Sequence, residues 1–272
     1  MCKYLFILIL PFAIVNFANA QQENSMKSTI SGGMMVYSAR ITLDQTEITS
    51  DTLEFNRGKS IFNWEKKPQE KERTAATAEG IETKSDISPH DSIGEYNLYD
   101  KTTDSLYSRK FIIDQIYLVK EKNPEIQWSI GDTTKNIGNY TATKATAHFR
   151  GRDYTAWFTP EIPVPYGPWK LVGLPGLILQ AYDTDREIYF NAQKLVFNTD
   201  GITVEASLNG SEQVIGLAEY KNILADLKKR MIQKAQNIAR KYLAKYPDAD
   251  IQIETPEPKL MEMFGKTAND KK

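Results

Sequence analysis

Residues 157 to 178, Trp-Phe-Thr-Pro-Glu-Ile-Pro-Val-Pro-Tyr-Gly-Pro-Trp-Lys-Leu-Val-Gly-Leu-Pro-Gly-Leu-Ile, restrict the conformation of this chain more than any other stretch. Pro160, Pro163, Pro165, Pro168 and Pro175 each fix φ and remove a backbone donor, which excludes a long regular helix or strand. Gly167, Gly173 and Gly176 permit positive φ or close backbone approach. Trp157, Phe158, Tyr166 and Trp169 add large rigid surfaces between those breaks. A segment this irregular and this apolar has to pack on something. It is either a corner of the fold or a docking surface for an extended peptide or a partner's edge strand. In the docking reading the binding residues are Trp157, Phe158, Tyr166, Pro168 and Trp169, with Arg150 and Arg152 beside them. Two residues apart on a strand, these arginines share a face and can clamp a carboxylate or phosphate, or pair at the surface with Asp153 or Glu161.

Met1 to Ala20 has the form of a secretory signal peptide. Lys3 gives a positive start, Tyr4 to Val15 is nearly all apolar, and Ala18-Asn19-Ala20 is a small-residue cleavage site. The expectation is an exported protein of the periplasm or outer-membrane periphery, with no membrane span after cleavage. Cys2, the single cysteine, falls in the leader, so the mature chain has no disulfide and no thiolate chemistry. The 34 basic and 35 acidic side chains nearly balance, giving no general attraction to nucleic acid.

Strand patterns dominate. Residues 34 to 43 read as a first strand, and Leu53 to Trp64 as a hairpin turning at Asn56-Arg57-Gly58-Lys59. Residues 65 to 93 are polar and predict a mobile surface loop. Strands are expected again over 96–99, 106–113, 115–119, 139–149, 177–182 and 187–197. Asn198-Thr199-Asp200-Gly201 predicts a turn into a further strand over 202–208. Only then does the period change: Leu217, Tyr220, Leu224, Leu227, Met231, Ala235, Ile238 and Tyr242 mark one face of an amphipathic helix, expected to pack on the sheet. Pro247 ends it, and 248–272 is a polar tail. The order predicts a single α+β domain over residues 21–247: a mainly antiparallel, curved sheet or half-barrel packed by one long C-terminal helix.

No nucleophile elbow, phosphate loop, dinucleotide fingerprint or metal-binding histidine pair occurs, so no cofactor and no metal is expected. Asp183-Thr184-Asp185 lacks the spacing of a calcium loop and reads as a turn. His148 sits in a strand pattern as an ordinary strand side chain. A hydrolase built on convergent carboxylates leaves no local signature and stays as the alternative to a binding protein.

Gly173-Leu174-Pro175-Gly176-Leu177-Ile178, together with Ile137-Gly138-x-Tyr140, Lys144-Ala145, Phe149-Arg150-Gly151-Arg152, Ala156-Trp157-Phe158-Thr159 and Gly167-Pro168-Trp169-Lys170, resembles the GLPGLI family of secreted Bacteroidetes proteins. The match is best over roughly residues 137 to 182. Where members often carry a cysteine after the tyrosine, this chain has Thr141 and Ala142. The resemblance implies no established reaction. It implies an uncharacterised envelope protein associated with a TonB-dependent outer-membrane receptor. The first expectation for such a chain is a protein that binds a partner or small ligand without catalysis, with an apolar-ligand carrier as its variant. Leu174-Pro175-Gly176-Leu177 fits a type II turn between two strands, with Leu171, Val172, Leu177, Ile178 and Leu179 inserted into the core.

Overall fold

The computed structural model describes residues 32–43, 46–65, 75–76, 82–83, 91–112, 115–198, 201–245 and 261–262. The expected leader, most of the expected loop over 65–93, and the tail apart from Met261 and Glu262 lie outside the described residues.

The first strands are β1 (Gly32–Thr42), β2 (Thr46–Asn56) and β3 (Lys59–Asn63). The two-residue strands β4 (Ala75–Ala76) and β5 (Glu82–Thr83) pair only with each other. Next come β6 (Tyr96–Asp100), β7 (Ser105–Ile112), β8 (Gln115–Lys122), β9 (Ser129–Ile137), β10 (Tyr140–Phe149) and β11 (Arg152–Thr159). After the proline-rich segment follow β12 (Leu177–Asp183), β13 (Ile188–Asn198), β14 (Gln213–Gly216) and helix α1 (Leu217–Lys245).

Twelve strands form one sheet in the order β14-β8-β7-β6-β3-β2-β1-β13-β12-β11-β10-β9. Chain neighbours pair as antiparallel hairpins, β13 returns to close on β1, and only β14 runs parallel to its neighbour β8. The sheet is open. Its edges β14 and β9 do not pair, so the expected half-barrel is corrected to a largely antiparallel sheet that is neither closed nor strongly curled. Burial does not require closure here, because chain segments rather than a facing sheet cover the apolar side.

Alternation explains the strands. Met35, Tyr37 and Ala39 of β1 and Asp51, Leu53 and Phe55 of β2 are buried, while their neighbours face the other way. The β2–β3 turn forms where expected, with Asn56 Oδ1 accepting the amides of Gly58 and Lys59, both at 2.9 Å. In β10 the mixed pattern resolves to Ala142, Ala145, Ala147 and Phe149 inward. β9, β11 and β14 have no counterpart in the sequence reading.

The expected strand over 202–208 does not form. Ile202, Val204 and Ala206 alternate onto Ile61, Tyr96, Leu98 and Leu118, so the period is real. The segment is tied by side chains instead of a ladder: Asn56 Nδ2 donates to Ile202 O (3.0 Å) and Tyr96 Oη to Ser207 O (3.2 Å). It is a strap laid across the sheet. Helix α1 packs its first turns, through Leu217, Tyr220, Ile223, Leu224 and Leu227, on Ile112, Val119 and Ile215. No helix among the described residues is long and apolar enough to cross a membrane.

Candidate functional site

The proline-rich segment lies inside the molecule. Phe158, Tyr166, Pro168 and Trp169 are buried, and Trp157, the most accessible of the four aromatics, is only 8% exposed. The docking surface expected of these side chains is therefore corrected to core: Tyr166 packs on Phe55 and Tyr99, and Trp169 on Phe149 and Tyr154. Leu171, Val172, Leu177, Ile178 and Leu179 are buried as expected. The segment is pinned by its own backbone, with Gly173 N donating to Pro165 O, Leu177 N to Ile162 O and Ile178 N to Tyr166 O at 2.9–3.0 Å. The type II turn is also corrected. Gly173 has the positive φ, at 96°, and Gly176 does not. Gly176 is required for another reason: a Cβ there would stand 2.1 Å from Thr159 O, so the chain passes too close for any side chain. Leu174, Pro175 and Gly176 thus lead directly into β12, with no strand before them.

Arg150 and Arg152 do not form one clamp. Arg150 sits in the β10–β11 turn with φ of 51°, and it pairs with Glu121 of β8. Lys170, also buried, binds Glu121 (2.9 Å) and Glu262 (2.5 Å), which makes a buried cluster of two cations and two carboxylates. Arg152 instead holds Asp183 (2.6 Å) and Glu187 (2.8 Å). Asp183, Asp185 and Glu187 come together within 4.8 Å, but Arg152 bonds two of them and Asp183 accepts the Ile188 amide as a turn residue. His148 is an exposed strand residue bonded to Asp153 Oδ1 at 2.7 Å.

An open cleft lies elsewhere, on the sheet face that carries the strap. It encloses about 510 Å³ between β2, β3 and residues 203–207. Two alternating segments turn their polar sides toward each other: Ser50, Thr52 and Glu54 from β2, Thr203, Glu205 and Ser207 from the strap. Ile61, Asn63, Trp64, Glu65, Ser92, Ile93 and Tyr96 complete the wall, and no lysine or arginine lines it among the described residues. Its rim is organised by Arg109, the bulkiest fully buried side chain among the described residues. That guanidinium binds Asp91, the carbonyl of Gly94 (2.7 Å) and Glu212 (2.8 Å), joining the loop before β6 to the end of the strap. Beneath the floor, Asp51 Oδ1 accepts the amide of Glu65 (2.8 Å) and Oδ2 the hydroxyl of Thr49 (3.0 Å). Burial pushes the Asp51 carboxyl up to about 6, against those two bonds, and the charge of Glu65 adds to the rise. The sequence reading missed this cleft. The signal was the polar half of each alternating segment, which reads as an ordinary solvated face until the strap is laid over β2.

No curated protein matches the chain. Among solved structures, PNGF-II in a P21 crystal superposes with a TM-score of 0.51 at 15% identity, covering 71% of this chain and 33% of that one. The C2 crystal of PNGF-II gives 0.48 at 14% identity, over 71% and 32% of the two chains. An uncharacterized conserved protein from Thermus thermophilus gives 0.38 at 9% identity, over 73% and 99%. The chain therefore spans about a third of the length of PNGF-II, and that likeness concerns the fold alone. The sequence relationship falls on the buried proline-rich segment: residues 150–180 match the family model described as "Protein of unknown function (Porph_ging)", which corresponds to the GLPGLI family of Bacteroidetes proteins.

Proposed function

We propose that this is an exported envelope protein that binds a small, donor-rich ligand in the cleft between β2, β3 and the strap, without transforming it. The observation that carries the reading is the wall chemistry. Glu54, Glu65 and Glu205 line one cleft with no cation among the lining residues, amid serine and threonine hydroxyls and the Trp64 indole. Glu65 accepts the Ser50 amide at 2.8 Å, but none of the three has a cation partner in the cleft among the described residues. Such carboxylates favour ligand amines, and neighbouring hydroxyls favour ligand hydroxyls, so an amine-bearing sugar meets both demands. The leader, together with the family's association with TonB-dependent receptors, supports a place at the outer-membrane periphery, where such a ligand would be received or handed on.

Calorimetric titration with glucosamine oligomers, N-acetylated oligomers and spermidine tests the reading. Saturable binding of an amine-bearing probe, weakened about ten-fold in Glu54→Gln and in Glu205→Gln, is the expected result. Absence of binding across the panel would sink it. The same three carboxylates favour one second reading, a hydrolase with convergent acids. Cleaved product from a bound oligomer, lost in the same variants while binding persists, would replace the first reading with the second.

A further inference from the structure

The face that carries the cleft continues, by register, into a second region of opposite charge. Ser50, which lines the cleft, lies opposite Ser38 of β1; Ser38 lies opposite Asn191 of β13, and Asn191 opposite Gln180 of β12. Around and beyond them, from β1 across to β9, four cations gather. Arg186 stacks on the Tyr182 ring at 3.5 Å, Tyr182 stacks on Tyr189 at 5.9 Å and 12°, and Arg40 lies over Tyr189 at 5.8 Å. Lys135 of β9 reaches over the Trp157 ring at 4.1 Å and donates to Gln180 Oε1 at 2.6 Å. Gln180 is itself held, donating to Tyr189 Oη (2.7 Å) and Asn191 Oδ1 (2.9 Å). Lys144 of β10, opposite Trp157, adds its charge.

None of Arg40, Lys135, Lys144 and Arg186 makes an ion pair with a carboxylate among the described residues. Of the nearby acids, Asp183 and Glu187 are held by Arg152 and Asp153 by His148, while Asp185 stands exposed in the β12–β13 turn. Burial pushes the Lys135 ammonium below the ordinary lysine range; Tyr182 partly offsets this and Arg186 adds to it. Burial also opposes ionisation of Tyr182, yet the Trp157 indole and the charges of Arg186, Lys135 and Lys144 bring its hydroxyl below the ordinary phenol range. A half-buried lysine beside an arginine, fixed by an amide and lacking a counter-ion, is a preorganised anion receptor.

We propose that this cationic face binds an acidic polysaccharide, with Lys135, Lys144 and Arg186 around Tyr182 holding one sugar carboxylate and Arg40 a later one. The row crosses β1, β13, β12, β11, β10 and β9, about 24 Å at strand spacing, so it suits an extended polymer. Between its charged ends lie Gln180, Asn191 and the Tyr189 hydroxyl, groups that match sugar hydroxyls rather than further charge. A peptide added as a strand would engage a sheet edge, whereas these cations lie on the face. The stacked rings are already covered by guanidinium and phenol, which leaves their polar rims for recognition. This site is separate from the cleft, and either reading can fail alone.

The test is titration of the folded full chain with oligogalacturonate, against neutral malto-oligosaccharide and polyglutamate of similar length. Saturable binding of the uronate alone is expected, weakening with salt, and about ten-fold weaker in Lys135→Gln and in Arg186→Gln. In the unmodified protein, the same ligand should shield Lys135 and Lys144 from amine-reactive labelling, a readout that needs no variant to fold. No saturable binding, equal binding by the variants, unshielded lysines, or polyglutamate binding as tightly as uronate would each overturn the proposal.

Discussion

Asp51 and Lys170 are buried charges of different kinds, and they predict different behaviour. The Asp51 carboxyl is pushed from 3.8 to about 6, chiefly by burial. Between those values only the folded chain holds the proton, so this residue's contribution to stability falls as pH rises through that window and stays lost above it. The difference amounts to about 3 kcal/mol. Asp51→Asn should therefore gain stability relative to the parent by roughly that amount between pH 4 and pH 7, read from urea midpoints. Parallel pH profiles would refute the assignment. Asp100 does not confuse the window: burial opposes its ionisation, but Thr102, Lys59 and the Thr103 amide hold its carboxyl at about 2, so its titration lies on the acid side. Lys170 depends on geometry. With Arg150 it faces Glu121 and Glu262, two charges against two. Glu262→Gln leaves one buried cation uncompensated and should cost about 3 kcal/mol, while Lys170→Met with Glu262→Gln should cost less than the sum of the single changes. Additive losses in that double-mutant cycle would show that the two groups do not act as a pair.

Among the elements, the proline-rich segment and the strap show what alternation and punctuation encode and what they leave open. Prolines at 160, 163, 165, 168 and 175 were enough to exclude regular structure there, and residues 160–176, between β11 and β12, have none. Whether its aromatics faced solvent or core depended on β2, β6, β10 and β11 arriving against them, a tertiary fact with no local mark. The strap misled in the opposite direction. Residues 202–206 alternate like a strand because they lie on an apolar surface, but a strand also needs a neighbour's backbone, and the sequence does not say who pairs with whom. β9 was invisible for a related reason: as an edge strand, Ser129–Ile137 is almost wholly exposed, so nothing forces it to alternate. The cleft shared this fate, since it exists only where strap and β2 meet. Glycine gives a sharper prediction. Gly176→Ala drives a methyl into the Thr159 carbonyl and should lower stability by about 3 kcal/mol or more, whereas Gly138→Ala, where nothing lies within 4 Å but φ is 59°, should cost about 1 kcal/mol. Equal losses in thermal melts would mean that the close passage is not what selects glycine at 176.

Taken whole, the sheet is stitched by contacts far apart in the chain. β1 pairs with β13, and the Tyr37 hydroxyl donates to the carbonyl of Ile178 at 2.5 Å across 141 residues. Such a fold closes loops before it gains their contacts, and should refold in milliseconds to seconds or slower rather than microseconds. Truncation after residue 245 removes Glu262 and should lower the urea midpoint at least as far as Glu262→Gln does; an unchanged midpoint would show that the C-terminal carboxylate is dispensable. The placement of Glu262 also orders events in time. Any chain made or threaded N-terminus first presents Glu121, Arg150 and Lys170 long before Glu262, the second acid needed to balance the two cations. A nascent molecule therefore harbours an unbalanced charge at its centre, and the last partner to arrive certifies the rest. A prematurely terminated copy carries that imbalance permanently, which keeps its interior prone to opening and exposes it to proteolytic clearance.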